Sequence, residues 1–352
     1  MNPHIVNAFE GGTSDADLLA EIGPAIRPHT GGGMDIYCVN GDEVEPILAH
    51  LGPRRRQARR SIGFPAWELP SYPATWARQL ERFDEVWVYS TFVQNAIGPA
   101  VSVPVHVVPP PIGVRLAQFL GRRYFGIPES AYAFLFAFDF RSYHQRKNPL
   151  AVLDAFAQLV NARPAADVVL VVKIAGGDVR ADAAEQLLAR LRASGDQPGL
   201  GRLVILEQPL TDTETKNLVL CCDAFVSLHR SEGYGRFLGE AMYLGKPVVA
   251  TAWSGNLQFM NDNVARLVRA GLIAVREGEY PHWNDQVWAD PDVEEAAQHM
   301  IRLVDDPDSG RRLGERASRH IRVHFSYRAV GLDYLNRWNA IVASPAGTGA
   351  SA

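Results

Sequence analysis

Between Leu228 and Thr251 the chain reads Leu-His-Arg-Ser-Glu-Gly-Tyr-Gly-Arg-Phe-Leu-Gly-Glu-Ala-Met-Tyr-Leu-Gly-Lys-Pro-Val-Val-Ala-Thr. Two carboxylates eight residues apart, Glu232 and Glu240, frame a glycine-rich turn. Gly233 and Gly235 let the backbone come close to a ligand. Phe237, Leu238, Ala241, Met242 and Leu244 recur at helical spacing, which predicts a helix opening near Arg236 and stopping at Gly245 and Pro247. The amides of a first helical turn have no partners inside the helix, so such a turn can hold an anion, phosphate above all. Carboxylates do not bind phosphate; their natural targets are hydroxyls. Amides for phosphate beside carboxylates for hydroxyls suit a sugar nucleotide. The blander alternative is that Glu232 complements the helix dipole and Glu240 is solvated.

A second cluster of chemistry is basic: Arg141-Ser142-Tyr143-His144-Gln145-Arg146-Lys147-Asn148. It follows the apolar run Tyr132 to Phe138, read as the first strand of a second domain, and so falls at the sheet edge expected to carry the Glu232 turn. Breaking a bond between sugar and diphosphate leaves an oxocarbenium-like sugar and growing negative charge on phosphate. One fixed donor aimed at such a charge is worth roughly 3 to 4 kcal/mol. Arg141 and Lys147 would supply the countercharge without a metal. Arg146 is either a further diphosphate cation or a structural ion pair. Arg236 either adds charge near the diphosphate or points to solvent.

The elements that must position these groups alternate. Met34 to Val39, Ser61 to Ala66, Glu85 to Tyr89 and Val105 to Val108 read as strands, with helices at Glu43 to Leu51, Tyr72 to Phe83 and from Ser90 onward. Pro109-Pro110-Pro111 cannot continue a sheet. Beyond a hinge region at about 113 to 130, strands Tyr132 to Phe138, Val168 to Ile174, Leu203 to Leu206, Ala224 to Leu228 and Pro247 to Ala250 alternate with helices. Those helices are Pro149 to Val160 with Asn148 as cap, Ala181 to Leu191, and one opened by the capping box Thr211-x-x-Glu214. Near-continuous apolar strands separated by helices mean a parallel sheet covered on both faces. Residues 282 to 292 read as a loop. Asp290-x-Asp292 looks like a metal-binding pair, but capping of the helix from Val293 explains it better. Helices are expected over Val293 to Val304, Ser309 to Val323 and Tyr327 to Val342. The first 33 residues are least readable: a strand at His4 to Phe9, a turn at Gly11-Gly12, and a helix at Asp15 to Ile22 capped by Thr13 or Ser14.

The central segment resembles the signature of retaining family 4 glycosyltransferases, whose Glu-x7-Glu is matched by Glu232 and Glu240 and whose Glu-Gly-Phe-Gly appears as Glu232-Gly233-Tyr234-Gly235. Arg236 departs from the aliphatic residue usual there. By this resemblance Glu232 contacts the donor hexose and Glu240 the ribose hydroxyls. A Lys and an Arg of the loop after the first strand neutralise the donor diphosphate; Lys147 matches that Lys, and Arg141, six residues earlier, has the usual Arg spacing. Gly233, Tyr234, Gly235 and Arg236 line the donor, with Ser254 on the polar loop Thr251 to Asn256 opening onto the same cleft. The base would be met near Glu207 to Leu210 through backbone atoms. Trp67-Glu68-Leu69-Pro70 and Arg146-Lys147-Asn148-Pro149 resemble elements of a bacterial subgroup that builds surface polysaccharides. Glu68 stands near the place of a catalytic His in other relatives, or is a buried Glu paired with a nearby arginine.

The resemblance implies an α/β protein of GT-B fold, with two Rossmann-like domains facing a central cleft and the N-terminal one abbreviated. The acceptor-side domain would span 1–118 and the donor domain 119–342, its last helix crossing back, before a disordered tail at 343–352. The implied reaction is retaining transfer of a hexose from a UDP- or GDP-sugar to a saccharide or lipid-linked saccharide hydroxyl, in polysaccharide or lipopolysaccharide biosynthesis, with no cofactor.

Length and composition set the frame. At 352 residues about two domains are expected, and the net charge of -4 argues against general nucleic-acid binding. No signal peptide or membrane span is legible, and three cysteines, two adjacent, make no disulfide framework. The chain reads as cytoplasmic. Arg54, Arg55, Arg56, Arg59 and Arg60 would suit the anionic inner face of a membrane or a lipid-linked diphosphate, or form a solvated loop. Two other classes compete. Gly233-x-Gly235-x-x-x-Gly239 resembles a dinucleotide fingerprint of an NAD(P)-dependent oxidoreductase, but it lies late in its domain and lacks an acidic residue about twenty positions on. A non-catalytic sugar-nucleotide-binding module would fit the short N-terminal half.

Overall fold

The structure is a computed structural model that describes residues 33–52, 60–177, 185–189 and 202–343. The expected elements before Gly33, four of the five clustered arginines (Arg54, Arg55, Arg56 and Arg59), most of the helix expected from Ala181, and the tail from 344 lie outside the described residues. The chain divides into two units, between Pro110 and Pro111 and again between Ala329 and Val330.

The first unit has a four-stranded parallel sheet in the order β1 (Asp35–Tyr37), β2 (Ser61–Gly63), β3 (Glu85–Val88), β4 (Val105–Val107). Three helices connect its strands: α1 (Val44–Leu51), α2 (Ala74–Leu80) and α3 (Thr91–Ile97), the last capped by Ser90, whose hydroxyl accepts the Val93 N–H at 3.3 Å. The strands are shorter than the apolar runs suggest. After Gly63, Phe64 still donates to Tyr37 O at 2.8 Å, but Pro65 has no N–H with which to extend the ladder. The chain then turns over a buried aromatic cluster in which Trp67 meets Tyr72 at 5.4 Å and Trp76 at 5.5 Å between ring centroids. Val330 onward, in the last helix of the chain (Tyr327–Ala343), belongs to this unit. Tyr334 stands edge-on to Trp87, and Arg337 Nε donates to Glu85 Oε1 at 3.1 Å.

The second unit is built on a six-stranded parallel sheet in the order β10-β9-β8-β5-β6-β7. Its strands are β5 (Tyr132–Asp139), β6 (Val168–Ala175), β7 (Arg202–Leu206), β8 (Ala224–Ser227), β9 (Val248–Thr251) and β10 (Arg266–Val268). The bulky runs Phe134-Leu135-Phe136 and Val169 to Val172 are buried, as strands covered on both faces require. Its helices are α4 (His144–Lys147), α5 (Pro149–Ala162), α6 (Asp212–Cys221), α7 (Arg236–Tyr243), α8 (Val293–Asp305) and α9 (Pro307–His324); the last helix of the chain, α10, is the one already described with the first unit. On one face α5 lays Val152, Phe156 and Leu159 into a core shared with Ala297 and Met300 of α8. Burying each large side chain of this kind contributes about 1.5 to 3 kcal/mol. The expected capping box forms at α6: Thr211 Oγ1 accepts the Glu214 N–H at 3.2 Å, and the Glu214 carboxylate accepts the Thr211 N–H at 2.8 Å.

Residues 282–286 form the turns that their composition suggests, but the rest of the expected loop does not. Val287–Pro291 is strand β12, which pairs antiparallel with β11 (Ala270–Ala274), and Asp290 faces Gly271 in that ladder. Trp288 and Ala289 are fully buried, so tertiary packing overrides turn-like text. Asp292 caps α8, accepting the Glu295 N–H at 3.0 Å. Among the described residues no helix is long and apolar enough to cross a membrane.

Candidate functional site

Strands β5 and β8 are neighbours in the second sheet, and from them the strand order runs outward in both directions. This is the switch point of a doubly wound sheet, where a crevice opens beyond the carboxyl ends of the strands. Both sequence clusters fall there. The loop after β5 carries Arg141 to Asn148, and the loop after β8 carries Glu232 to Gly235.

The β5 loop is bent by two non-glycine residues in positive φ, Tyr143 (60°) and Asn148 (56°), which bracket the single turn of α4. Such backbone is strained and persists only when its surroundings hold it. Here Asn148 Nδ2 donates to Leu228 O at 3.0 Å, and the Arg230 N–H donates to Arg146 O at 2.7 Å. The loop is thus stitched to the chain leaving β8. The stitching directs Lys147 Nζ at Glu232 Oε1, to which it donates. Arg146 lies beneath, 3 % exposed, with Nη1 donating to Ser231 O at 2.8 Å and standing 3.3 Å from Glu232 Oε2. Burial alone would push the Glu232 carboxyl up, but Lys147 and then Arg146 hold it well below the usual carboxylate range, at about 2.

The Glu232 turn is fixed from its other side by the loop after β9. Glu232 N–H donates to Ser254 Oγ at 2.9 Å, and Gly255 N–H donates to Glu232 O at 2.8 Å. Gly255 is obligatory, because a Cβ there would lie 2.0 Å from Gly233 O. Below the turn, His229 is wholly buried between Ser227 Oγ and Asn256 Oδ1, each 3.1 Å from a ring nitrogen. Asn256 Nδ2 donates to Thr251 O at 3.0 Å, so its Oδ1 must accept from His229 Nε2–H. Burial pushes the imidazole down and keeps it neutral. Gly235, at φ 87°, then turns the chain into α7, whose opening turn presents the amides of Arg236, Phe237 and Leu238. Those amides have no partners inside the helix. Glu240 follows on α7, 5 % exposed, with Lys216 Nζ of α6 at 2.9 Å from Oε2.

A sequence model of the family Glycosyl transferases group 1 matches residues 126–320, more than half of the chain. The chain belongs to this family. No curated protein matches it by sequence. Solved structures show that the group 1 glycosyltransferase has an α/β fold with parallel sheets like those of GT-B enzymes. HepE of Anabaena, in complex with UDP and glucose, has a TM-score of 0.67 at 15% identity over 92% of this chain and 88% of that one. Sucrose-phosphate synthase of Thermosynechococcus elongatus has a TM-score of 0.65 at 17% identity, covering 94% and 76%. Trehalose 6-phosphate synthase of Burkholderia multivorans has 0.63 at 14% identity, covering 94% and 76%.

Within this glycosyltransferase several candidate residues gather in the second unit. Lys147, Glu232, Gly233, Gly235 and the amides at Arg236 share one edge of the second unit. Arg141 leaves the same strand on a 3-10 turn, Phe140–Ser142, its side chain exposed and 3.6 Å from Asp139. Around that edge, Arg146 pairs with Glu232, Ser254 Oγ accepts the Glu232 N–H, and buried Tyr234 packs its ring on Phe259 at 5.1 Å. Leu210 ends the loop between β7 and α6, where Lys173 Nζ donates to Gln208 O at 3.0 Å. Glu68 belongs to the first unit, on the chain leaving β2. Arg60, the described member of the basic run, pairs with Asp84 at 3.3 Å. Asn148 does not cap α5 with its side chain, which goes to Leu228 instead.

Sequence reasoning passed over His229, Asn256, Lys216 and Tyr280. Tyr280 lies between β11 and β12, its ring 5.0 Å from Tyr143 and 5.8 Å from the Arg146 guanidinium. His229 stood in the quoted segment, and its isolation in an apolar run was the available signal. Lys216 gave none, being one lysine on a helix 24 residues before its partner.

Proposed function

We propose that the chain is a retaining, metal-independent hexosyltransferase. It moves a hexose from a UDP-sugar, or alternatively a GDP-sugar, to a hydroxyl of a saccharide or lipid-linked saccharide. The observation that carries this reading is the meeting of Lys147 with Glu232 at the switch point, beside the opening turn of α7. HepE, solved with UDP-glucose, supports a uridine donor.

The donor diphosphate lies against the amides of Arg236 and Phe237, with Lys147 at its leaving oxygen and Arg141 entering from the same loop. As the bond from anomeric carbon to diphosphate oxygen breaks, negative charge gathers on that oxygen. The amides are already fixed there and Lys147 is held at the same edge by Glu232, so little reorganisation opposes the step. The acceptor hydroxyl attacks the anomeric carbon from the face the diphosphate leaves. A new carbon–oxygen bond replaces the old one, and the hydroxyl proton passes to the diphosphate. Glu232 stays ionised across the working pH range and accepts hydrogen bonds from hexose hydroxyls. Its pinning by Lys147 and Arg146 argues against a glycosidase-type nucleophile. Glu240 accepts from the ribose hydroxyls.

A panel of UDP- and GDP-sugars tests the proposal. Slow donor hydrolysis is expected with one base, abolished in Lys147→Ala. A wild type inert to every donor, yet shifted in melting temperature by nucleotide, would point to a binding module, and stabilisation by NAD(P) alone to an oxidoreductase.

A further inference from the structure

Lys216 is buried on α6, its side chain 6 % exposed, and it belongs to no part of the motif that surrounds Glu240. Its ammonium has two carboxylates, Asp212 Oδ1 at 2.8 Å one helical turn back and Glu240 Oε2 at 2.9 Å. The other Glu240 oxygen, Oε1, has Arg236 Nε at 3.5 Å, and that side chain is 75 % exposed. The two oxygens are therefore held very differently. One is locked by a buried cation, and the other is screened by a cation that can swing into solvent. An ionised carboxylate has about four acceptor sites, and a monodentate lock on Oε2 leaves those of Oε1 for a ligand.

We propose that Lys216 is a positioning residue for nucleotide binding: it fixes the rotation of the Glu240 carboxylate so that Oε1 is presented to the ribose hydroxyls, Arg236 giving way as they arrive. This rests on the reading of Glu240 as the ribose ligand. Without Lys216 the carboxylate would turn toward Arg236, its remaining cation, and lose its aim. Asp212 keeps Lys216 on its own side of the gap, so that the ammonium approaches Glu240 along one edge only. A packing role alone would not require a charge here, since apolar residues of similar volume often replace buried ion pairs without loss of stability.

The test measures dissociation constants for UDP, GDP, their 2′,3′-dideoxy analogues and inorganic pyrophosphate in wild type, Glu240→Gln, Lys216→Met, Lys216→Gln and Lys216→Arg. In wild type the ribonucleotide of the preferred base is expected to bind at least about tenfold tighter than its dideoxy form, because buried acceptors are left unpaired by the analogue. In Lys216→Met the ratio falls to within about threefold, while dideoxy-nucleotide and pyrophosphate affinities stay unchanged; Lys216→Arg restores much of it. Lys216→Gln, shorter and neutral, gives the same collapse and serves if the methionine variant does not fold. A ratio untouched by Glu240→Gln overturns the ribose reading itself. A ratio that Glu240→Gln abolishes but Lys216→Met preserves overturns the positioning role alone. Equal weakening of every probe in Lys216→Met also overturns it, because Lys216 would then be holding the fold rather than aiming the carboxylate.

Discussion

Replacing Lys147 by methionine separates chemistry from architecture at this site. The substitution keeps length and apolar stem and removes the ammonium that donates to Glu232. Glu232 is not left unpaired, because Arg146 Nη1 remains 3.3 Å away and also holds Ser231 O. Removing one partner of a buried pair typically costs 3 to 5 kcal/mol when the other charge is orphaned; with a second cation in place the loss should be roughly 1 to 2 kcal/mol. Transition-state stabilisation has no such substitute. A fixed cation at the leaving diphosphate contributes about 3 to 4 kcal/mol, which at 1.36 kcal/mol per decade is on the order of a hundredfold to a thousandfold in kcat. Nucleotide release under saturating donor gives kcat, and urea denaturation of the same preparation gives stability. Arg146→Met, which strips the more deeply buried cation, should show the larger loss of stability of the two. A Lys147→Met protein that is destabilised yet keeps kcat within about threefold would refute the reasoning, since the lysine would then serve only Glu232.

Further outcomes follow from the same geometry. Gly255→Ala forces a methyl to 2.0 Å from Gly233 O and 2.7 Å from Glu232 O, so the turn must shift. Thermal denaturation should show a loss of about 1 to 3 kcal/mol, together with weaker nucleotide binding by calorimetry. Phe156→Ala empties a fully buried site between α5 and the sheet. It should cost about 3 to 5 kcal/mol in urea melts while leaving nucleotide affinity unchanged where the protein stays folded. The pH dependence has a definite sign. The Glu232 carboxyl is lowered from 4.5 in the unfolded chain to about 2 when folded. Its pairing therefore stabilises fully above about pH 4.5 and is lost as pH falls toward 2. Wild-type stability should decline across that window more steeply than that of Glu232→Gln; parallel profiles would contradict the pairing.

What the sequence displayed was local. The capping box at Thr211, the turn at Gly235 and the helix stop at Gly245 are written in neighbouring residues, and the structure has them where the text places them. Five of the six strands of the second sheet were legible because they read as unbroken apolar runs; the edge strand β10, three residues long and only partly buried, was not. The antiparallel pair β11–β12 was not, because Asp290-Pro291 reads as a turn and only the burial of Trp288 makes it a strand. In the site, glycines and charges announced themselves by type and spacing. The residues that hold them did not: His229, Asn256 and Lys216 each reach across the sheet or between helices to a partner 22 to 27 residues away.

The most direct measurement is a crystal structure of the chain with a bound nucleoside diphosphate. The expected density places the diphosphate within hydrogen-bonding distance of the Arg236 and Phe237 amides and of Lys147 Nζ, with the ribose hydroxyls on Glu240. A nucleotide bound elsewhere, with Lys147 still closed on Glu232 and the opening turn of α7 facing solvent, would contradict the account.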